Sequence, residues 1–223
     1  MISKRLKAVA DMVTPGMTAA DIGTDHAYVP IYLIAQKISP KVYAMDINEG
    51  PIRMAIANVE NEGYEDVITV KQADGMQGLL PNQAESVVIA GMGGELIVQI
   101  LKASKVNDTV KEFILSPHKN PEVLRKYLNE QALRIVEEQM LVDAGKYYVI
   151  MKVVHGTEEP FDDLELQYGR ILIERKDSIL REYLTLRKKK FSKIYEVMKE
   201  QNSENVSEIV EKLQNIGKVL EKM

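Results

Sequence analysis

The chain contains no cysteine, which excludes a disulfide framework, thiolate zinc sites and a thiol nucleophile together. It has no run of about 18 uncharged apolar residues, so no membrane span is expected. Nothing near the start reads as a secretory apolar segment, because Asp11 soon interrupts the stretch that follows the basic Met1–Lys7. An excess of positive charge is also missing. The formal net charge is −4 and the isoelectric point is near 5.6, so overall attraction would not draw in a nucleic acid. The negative charge sits in the first 160 residues and the last third is close to neutral; a polyanion would have to be met by local patches. What is present is a 45% hydrophobic composition over 223 residues, enough for one domain with a core and a short appendage. A cytoplasmic protein is expected.

Residues 1–156 alternate short apolar runs with longer amphipathic segments. Leu6, Val9, Ala10 and Val13 mark one face of a first helix, which Thr14-Pro15-Gly16 ends. Strands are expected at Thr18–Gly23, Lys41–Asn48, Val67–Gln72, Ser86–Ala90 and Glu112–Leu115. Helices are expected at Val29–Gln36, Pro51–Glu62, Glu95–Ala103 and Pro121–Glu130. Asp143-Ala144-Gly145 joins Arg134–Val142 to Tyr147–His155 as an antiparallel hairpin. This order predicts an α/β fold with a Rossmann-like, doubly wound parallel sheet and an antiparallel last strand. From residue 161 to 223 the chain is charged and helical. Val206, Ile209, Leu213, Ile216, Leu220 and Met223 form a heptad-like seam, with Leu180, Leu184, Phe191, Ile194 and Met198 before it. Asn202-Ser203-Glu204-Asn205 reads as the turn between them, and Asn205 with Glu208 as a capping box. The division predicted is a catalytic domain at 1–160 and a helical coiled-coil hairpin at 161–223, for packing or for substrate.

In such a sheet, ligands bind beyond the carboxyl ends of the strands. Four strand-end loops should meet there, carrying Asp21 and Gly23, then Asp46, then Asp74 and Gly75, then Gly91. Each alone is an ordinary turn residue, but all four in order suggest a nucleoside cofactor. Gly23 would let the backbone approach it closely, Asp46 would accept from ribose hydroxyls, and Asp74 from an adenine amine. Neither G-x-G-x-x-G nor a P-loop is present, so nothing is shaped for a pyrophosphate. S-adenosylmethionine, which carries no phosphate, fits better. The pattern by itself stops at a nucleoside-binding α/β enzyme with methyl transfer favoured.

Asp21-Ile22-Gly23-Thr24-Asp25-His26-Ala27-Tyr28-Val29-Pro30, Ile89-Ala90-Gly91-Met92-Gly93-Gly94 and Gly145-Lys146-Tyr147-Tyr148 resemble the bacterial tRNA (adenine-N1)-methyltransferase family that modifies position 22. The resemblance covers almost the whole chain, from Ser3-Lys4-Arg5-Leu6 to the helical tail. It implies a Rossmann-like catalytic domain, S-adenosylmethionine as donor, and a C-terminal coiled coil that helps hold tRNA. The sequence departs from the general class I pattern in two ways. Asp25 and Ala27 stand where the second and third loop glycines usually are. Gly91-Met92-Gly93-Gly94 replaces the Asn/Asp-Pro-Pro-aromatic motif of many amino-group methyltransferases.

Asp25 is the first candidate for stabilising the cationic adenine as N1 is methylated, with a helix N-cap as its other reading. His26 could orient Asp25, and Tyr28 could stack on the base or pack under the loop. Met92, Gly93 and Gly94 would line the methyl-transfer site, and His118 and Lys119 are placed at the same sheet edge. Candidate phosphate contacts are Lys4-Arg5-Lys7, Lys119 with Arg125-Lys126, and Arg187-Lys188-Lys189-Lys190, unless these are solvated helix faces. No metal site is expected, because His26, His118 and His155 lie far apart and no carboxylate spacing completes a cage. The oligomeric state is open, with a monomer as the default. Two alternatives stay open as well: a methyltransferase of a small molecule or protein, and a non-catalytic RNA-binding scaffold on a degenerate Rossmann domain.

Overall fold

A computed structural model of the chain describes residues 2–200 and 206–223. The first helix, α1 (Lys4–Asp11), is capped by Ser3, whose hydroxyl accepts from the Leu6 N–H. Then β1 (Ala19–Ile22), β2 (Val42–Asp46), β3 (Ile68–Gln72), β4 (Ser86–Met92) and β5 (Glu112–Pro117) alternate with α2 (Tyr28–Ala35), α3 (Glu49–Glu62), α4 (Gly94–Ala103) and α5 (Pro121–Glu130). A hairpin of β6 (Leu133–Asp143) and β7 (Lys146–His155) follows. The sheet order is β3-β2-β1-β4-β5-β7-β6, parallel through the first five and antiparallel where β7 joins β5. This is the doubly wound, Rossmann-like sheet expected. The order reverses between β1 and β4, where a crevice opens.

Side-chain alternation splits the core between the two faces of the sheet. Ile22, Met45, Ile89, Phe113 and Leu115 point toward Ile97 and Leu101 of α4 and Leu124 of α5. Ala19, Val42, Ala44, Val88 and Ile114 point toward Val9 of α1, Leu33 of α2 and Ala55 of α3. Three elements differ from the sequence expectation in instructive ways. Helix α3 begins two residues before Pro51, since proline is tolerated wherever first-turn N–H groups lack an intrahelical partner. Strand β4 runs on to Met92 through a bulge: Ala90 pairs with Ser116 and Met92 with Pro117, leaving Gly91 between them at φ +85°. A second register shift lies between Ile135 and Glu137 in β6.

The C-terminal part consists of α6 (Asp163–Tyr168), α7 (Arg170–Glu174), α8 (Ser178–Glu200) and α9 (Val206–Lys222). Asp162 and Glu165 form a reciprocal capping box at the start of α6. The start of α8 (Leu180, Leu184) packs with the end of α9 (Ile216, Val219, Met223), so the two run antiparallel as a hairpin. The expected seam missed Val219, which is fully buried. The stripe is wider than a two-helix seam because α9 also contacts α7, and the same cluster includes Met140 of β6 and Tyr147 and Val149 of β7. The expected turn at 202–205 and the Asn205 cap lie outside the described residues. Arg125 is corrected from phosphate contact to structural lock. It is 1% exposed, its Nε donates to Glu138 at 2.8 Å, and its Nη1 donates to the Leu166 carbonyl of α6 at 2.6 Å. A guanidinium tied this way cannot reach solvent or RNA. Among the described residues no helix is long and apolar enough to cross a membrane.

Candidate active site

The carboxyl ends of the parallel strands enclose a cavity of about 480 Å³. Asp21, Gly23, Asp46, Asp74, Gly75 and Gly91, the six residues expected to hold a cofactor, all line it. They converge because each stands at or just past the end of one of β1 to β4, where the sheet delivers its loops to one edge.

The loop after β1 folds back over β2. Gly23 and Thr24 both donate to the Met45 carbonyl, at 2.8 and 2.9 Å. Gly23 has φ +78°, and a Cβ there would fall 2.2 Å from the Met92 methyl, so the cavity floor is bare backbone covered by one flexible thioether. Asp25 and Ala27, standing in for glycines, nevertheless keep left-handed backbones at φ 53° and 58°. The loop therefore has a glycine loop's path without its glycines, at a strain of about 1–2 kcal/mol per residue. Asp25 does not cap α2. The capping position is Ala27, which makes no side-chain bond. The Asp25 carboxylate is exposed and sits 3.6 Å from His26 Nε2. The His26 ring stacks on Tyr28 with centroids 5.4 Å apart and planes at 26°, which makes a flat aromatic plate at the rim. Tyr28 and Asp25 line the cavity, whereas His26 contacts both without lining it.

Asp46 Oδ1 accepts from the Asn48 N–H at 2.9 Å, while Oδ2 receives only a long 3.4 Å contact from Asp25 N–H. One carboxylate oxygen is thus largely free toward the cavity. Asp21 is 5% exposed. Burial, reinforced by the Asp46 charge, outweighs the opposing influence of Thr24 and Arg5 and pushes its carboxyl up to about 7. A carboxyl raised this way, in a pocket with three other carboxylates, suits a cationic ligand. Ile47, Leu96 and Ile100 supply apolar wall, and the exposed side chain of Ile47 offers a face for a flat ring.

At the end of β4, Gly91 and Met92 line the cavity together with His118. Burial and the positive charges of Arg5 and Lys146 hold His118 below the ordinary imidazole range, so it is neutral at pH 7. Gly93 and Gly94 do not line the cavity. A Cβ on Gly94 would sit 2.3 Å from the Asn120 carbonyl oxygen, and one on Gly93 would sit 3.3 Å from the Lys119 side chain. Their smallness serves the packing of the β4–α4 turn on the loop after β5, where the Gly94 N–H donates to Lys119 O and His118 N–H to Met92 O. Lys119 and Arg187 are not in the cavity but border a neighbouring groove of about 740 Å³ between α5, the β6–β7 hairpin and α8, and His118 borders both. Arg187 lies over the rings of Tyr183 and Phe191. Lys188 is exposed on α8 and lines neither space.

Sequence reasoning missed Arg5, which was grouped with Lys4 and Lys7 as phosphate contacts. Lys7 is occupied by Asp11 at 2.7 Å, whereas Arg5 turns inward and lines the cavity. No local sequence signal marks this, because what Arg5 lies over is the ring of Tyr148, far along the chain.

These features agree with what the chain is similar to. A family model described as a methyltransferase domain matches residues 2–151. The Bacillus subtilis tRNA (adenine(22)-N(1))-methyltransferase is 31% identical over 99% of this chain and 97% of that one. The crystal structure of the B. subtilis M1A22 tRNA methyltransferase TrmK superposes with a TM-score of 0.86 at 28% identity, covering 99% of each chain. The structure of M. capricolum TrmK in complex with the natural cofactor product S-adenosyl-homocysteine gives a TM-score of 0.87 at 27% identity over 100% of this chain and 99% of that one. The chain belongs to the tRNA (adenine(22)-N(1))-methyltransferase family.

Proposed function

We propose that this chain transfers the methyl group of S-adenosylmethionine to N1 of adenine 22 in tRNA, and that the strand-end cavity is where the transfer occurs. The observation that carries the reading is one cavity that joins a bare glycine floor and four carboxylates to an open acceptor side. The chemistry of these residues fits the cofactor: Asp46 offers an acceptor for ribose hydroxyls, Ile47 an apolar face for adenine, and Asp21 a buried acid for an ammonium group. Bound there, the cofactor supplies a methyl group on a positively charged sulfur.

Adenine N1 has its own lone pair, so the protein needs to position the base more than to deprotonate it. The His26–Tyr28 plate stacks on the incoming ring at the rim. Asp25 faces the N6 edge and stabilises the positive charge that develops on the ring. Met92 and Gly91 line the same cavity, and neutral His118 is available as a hydrogen-bond donor or acceptor to the nucleotide. N1 lies on the pairing edge, so the base must leave its pair to enter. On the same reading the chain divides at 160/161 into a cofactor-binding part and a helical part that holds tRNA. Lys119, Arg187 and Lys188 then act as backbone contacts along the groove and α8. A monomer is the default for this reading, and a chain that works on tRNA works in the cytoplasm. Incubation with unmodified tRNA and S-adenosylmethionine, followed by nucleoside mass spectrometry, is expected to give 1-methyladenosine. Cofactor binding without any methylated tRNA product would refute the substrate.

A further inference from the structure

The loop that joins β1 to α2 is held firmly at both ends and lightly at its tip. Before the tip, Gly23 and Thr24 donate to the Met45 carbonyl. After it, the Ala27 N–H donates to the Thr24 carbonyl at 3.0 Å, and the Ala27 carbonyl accepts from Ile31 in α2. Asp25 and Ala27 both take left-handed backbones, a conformation that persists only where neighbouring structure enforces it. The Asp25 N–H contributes little, since its contact with Asp46 is 3.4 Å long. The His26 carbonyl gains nothing from α2, because the residue four positions on is Pro30, which has no N–H. What holds that carbonyl is the side chain of Asn58, whose Nδ2 donates to it at 2.9 Å across 32 residues of sequence.

Asn58 belongs to α3, where Ala55 and Val59 on either side of it in sequence are buried in the core. It is half-buried itself and asparagine is a poor helix former, so neither apolar packing nor helix propensity accounts for it. It is not among the residues that line the cavity. Its bond fixes the peptide that follows His26, between the two left-handed residues, and so sets where the Asp25 carboxylate and the His26 ring stand. We propose that Asn58 is a positioning residue for methyl transfer: through the His26 carbonyl it holds Asp25 and the His26–Tyr28 plate where the target base meets them. The inference rests on the proposed function above and deepens it. Without the bond, Asp25 and Ala27 can release strain by leaving the left-handed region. That swings the acid and the plate away from the base, while the bonds to Met45 keep the glycine floor in place.

The test uses the full chain with Asn58→Asp, which keeps the shape and loses the donor, with Asn58→Ala, and with Asn58→Gln, which keeps a donor amide on a longer arm. The readouts are kcat and KM for unmodified tRNA and the calorimetric Kd for S-adenosylhomocysteine. In Asn58→Asp and Asn58→Ala, kcat should fall by roughly 10- to 100-fold, as misplaced reacting groups do. The tRNA KM and the S-adenosylhomocysteine Kd should hold, and Asn58→Gln should recover part of the kcat. Combined with Asp25→Asn, Asn58→Asp should cost less than the product of the two separate losses, because both act through one carboxylate. An unchanged kcat in Asn58→Asp and Asn58→Ala overturns the positioning role. So does a fall in kcat matched by an equal weakening of S-adenosylhomocysteine binding, which would make Asn58 a support of the fold, and so do fully multiplicative losses in the double variant. A wild-type chain that binds S-adenosylhomocysteine and methylates no tRNA overturns the proposed function, and the positioning role with it.

Discussion

The buried acid at the end of β1 makes cofactor binding a proton-linked event. Asp21 holds its proton up to about pH 7, roughly three units above an ordinary aspartate, because burial and the neighbouring Asp46 disfavour its charge. A cationic ligand reverses that preference, so binding near pH 6 should expel a proton. Over the window in which the free site is protonated and the bound site is not, Kd should fall up to tenfold for each unit of rising pH. The full linkage is on the order of 4 kcal/mol, at about 1.36 kcal/mol per unit. The same shift acts on folding with a definite sign. Below the unfolded value near 3.8 both states hold the proton and nothing changes. Between about 4 and 7 only the folded state holds it, so stability drops as pH rises through that window, and at pH 8 the free protein carries the full penalty. Asp21→Asn is therefore expected to raise the Tm of the ligand-free protein at pH 8 by several degrees. It should also flatten the pH dependence of S-adenosylhomocysteine binding. Calorimetry between pH 5.5 and 8, in two buffers of different ionisation enthalpy, reads both the slope and the released proton. A wild-type Kd that does not vary over that range, or a variant with the same slope, would refute the reasoning.

Other consequences follow from particular contacts. Asp46→Ala should weaken cofactor binding by about 1.5–3 kcal/mol through lost charge-assisted bonds, and an unchanged calorimetric Kd would remove Asp46 from the ribose. Glu138→Ala strands Arg125 in the core and should cost about 3–5 kcal/mol in urea unfolding, with a loss under 1 kcal/mol contradicting the buried-pair account. Gly94→Ala drives a Cβ into the Asn120 carbonyl, so it should destabilise the protein and disturb His118, whereas Gly63→Ala, facing open space at φ +71°, should cost only about 1 kcal/mol. Ending the chain after residue 161 exposes Met140, Tyr147 and Val149 and deprives Arg125 of its Leu166 acceptor. Thermal melts should then show lower stability as well as weaker tRNA binding, and an unchanged Tm would mean that the tail is only an appendage.

The strand-end acids and glycines were legible because a parallel sheet gathers successive loops at one edge whatever the loops contain. Spacing alone therefore carried Asp21, Gly23, Asp46, Asp74, Gly75 and Gly91 to the same cavity. Arg5 was not legible, because what turns it inward is a bond to Asp143 and a ring at Tyr148, both more than 130 residues away. Arg125 looked like part of a basic patch, and only its pairing with Glu138, from a separate strand, shows it to be buried. Gly91, Gly93 and Gly94 form one run in the sequence yet do different work: the first makes a bulge at the cavity and the last admits a neighbouring backbone. Three-residue distinctions of that kind depend on what approaches from elsewhere in the chain. Val219 was missed for a related reason, since heptad spacing reports one partner helix and α9 has more than one neighbour.

Position 22 is the central claim, and a matched pair of transcripts tests it most directly. Unmodified tRNA and the same tRNA with adenine 22 replaced by guanine, and its pairing partner changed to suit, would be incubated with the chain and S-adenosylmethionine. Modification would then be read by the reverse-transcription stop that a methyl group on the pairing edge imposes. The account predicts a stop at position 22 in the first transcript and none in the second, with Asp25→Asn weakening the stop while cofactor Kd holds. An equal methyl incorporation into both transcripts, or a stop at another adenine, would contradict it.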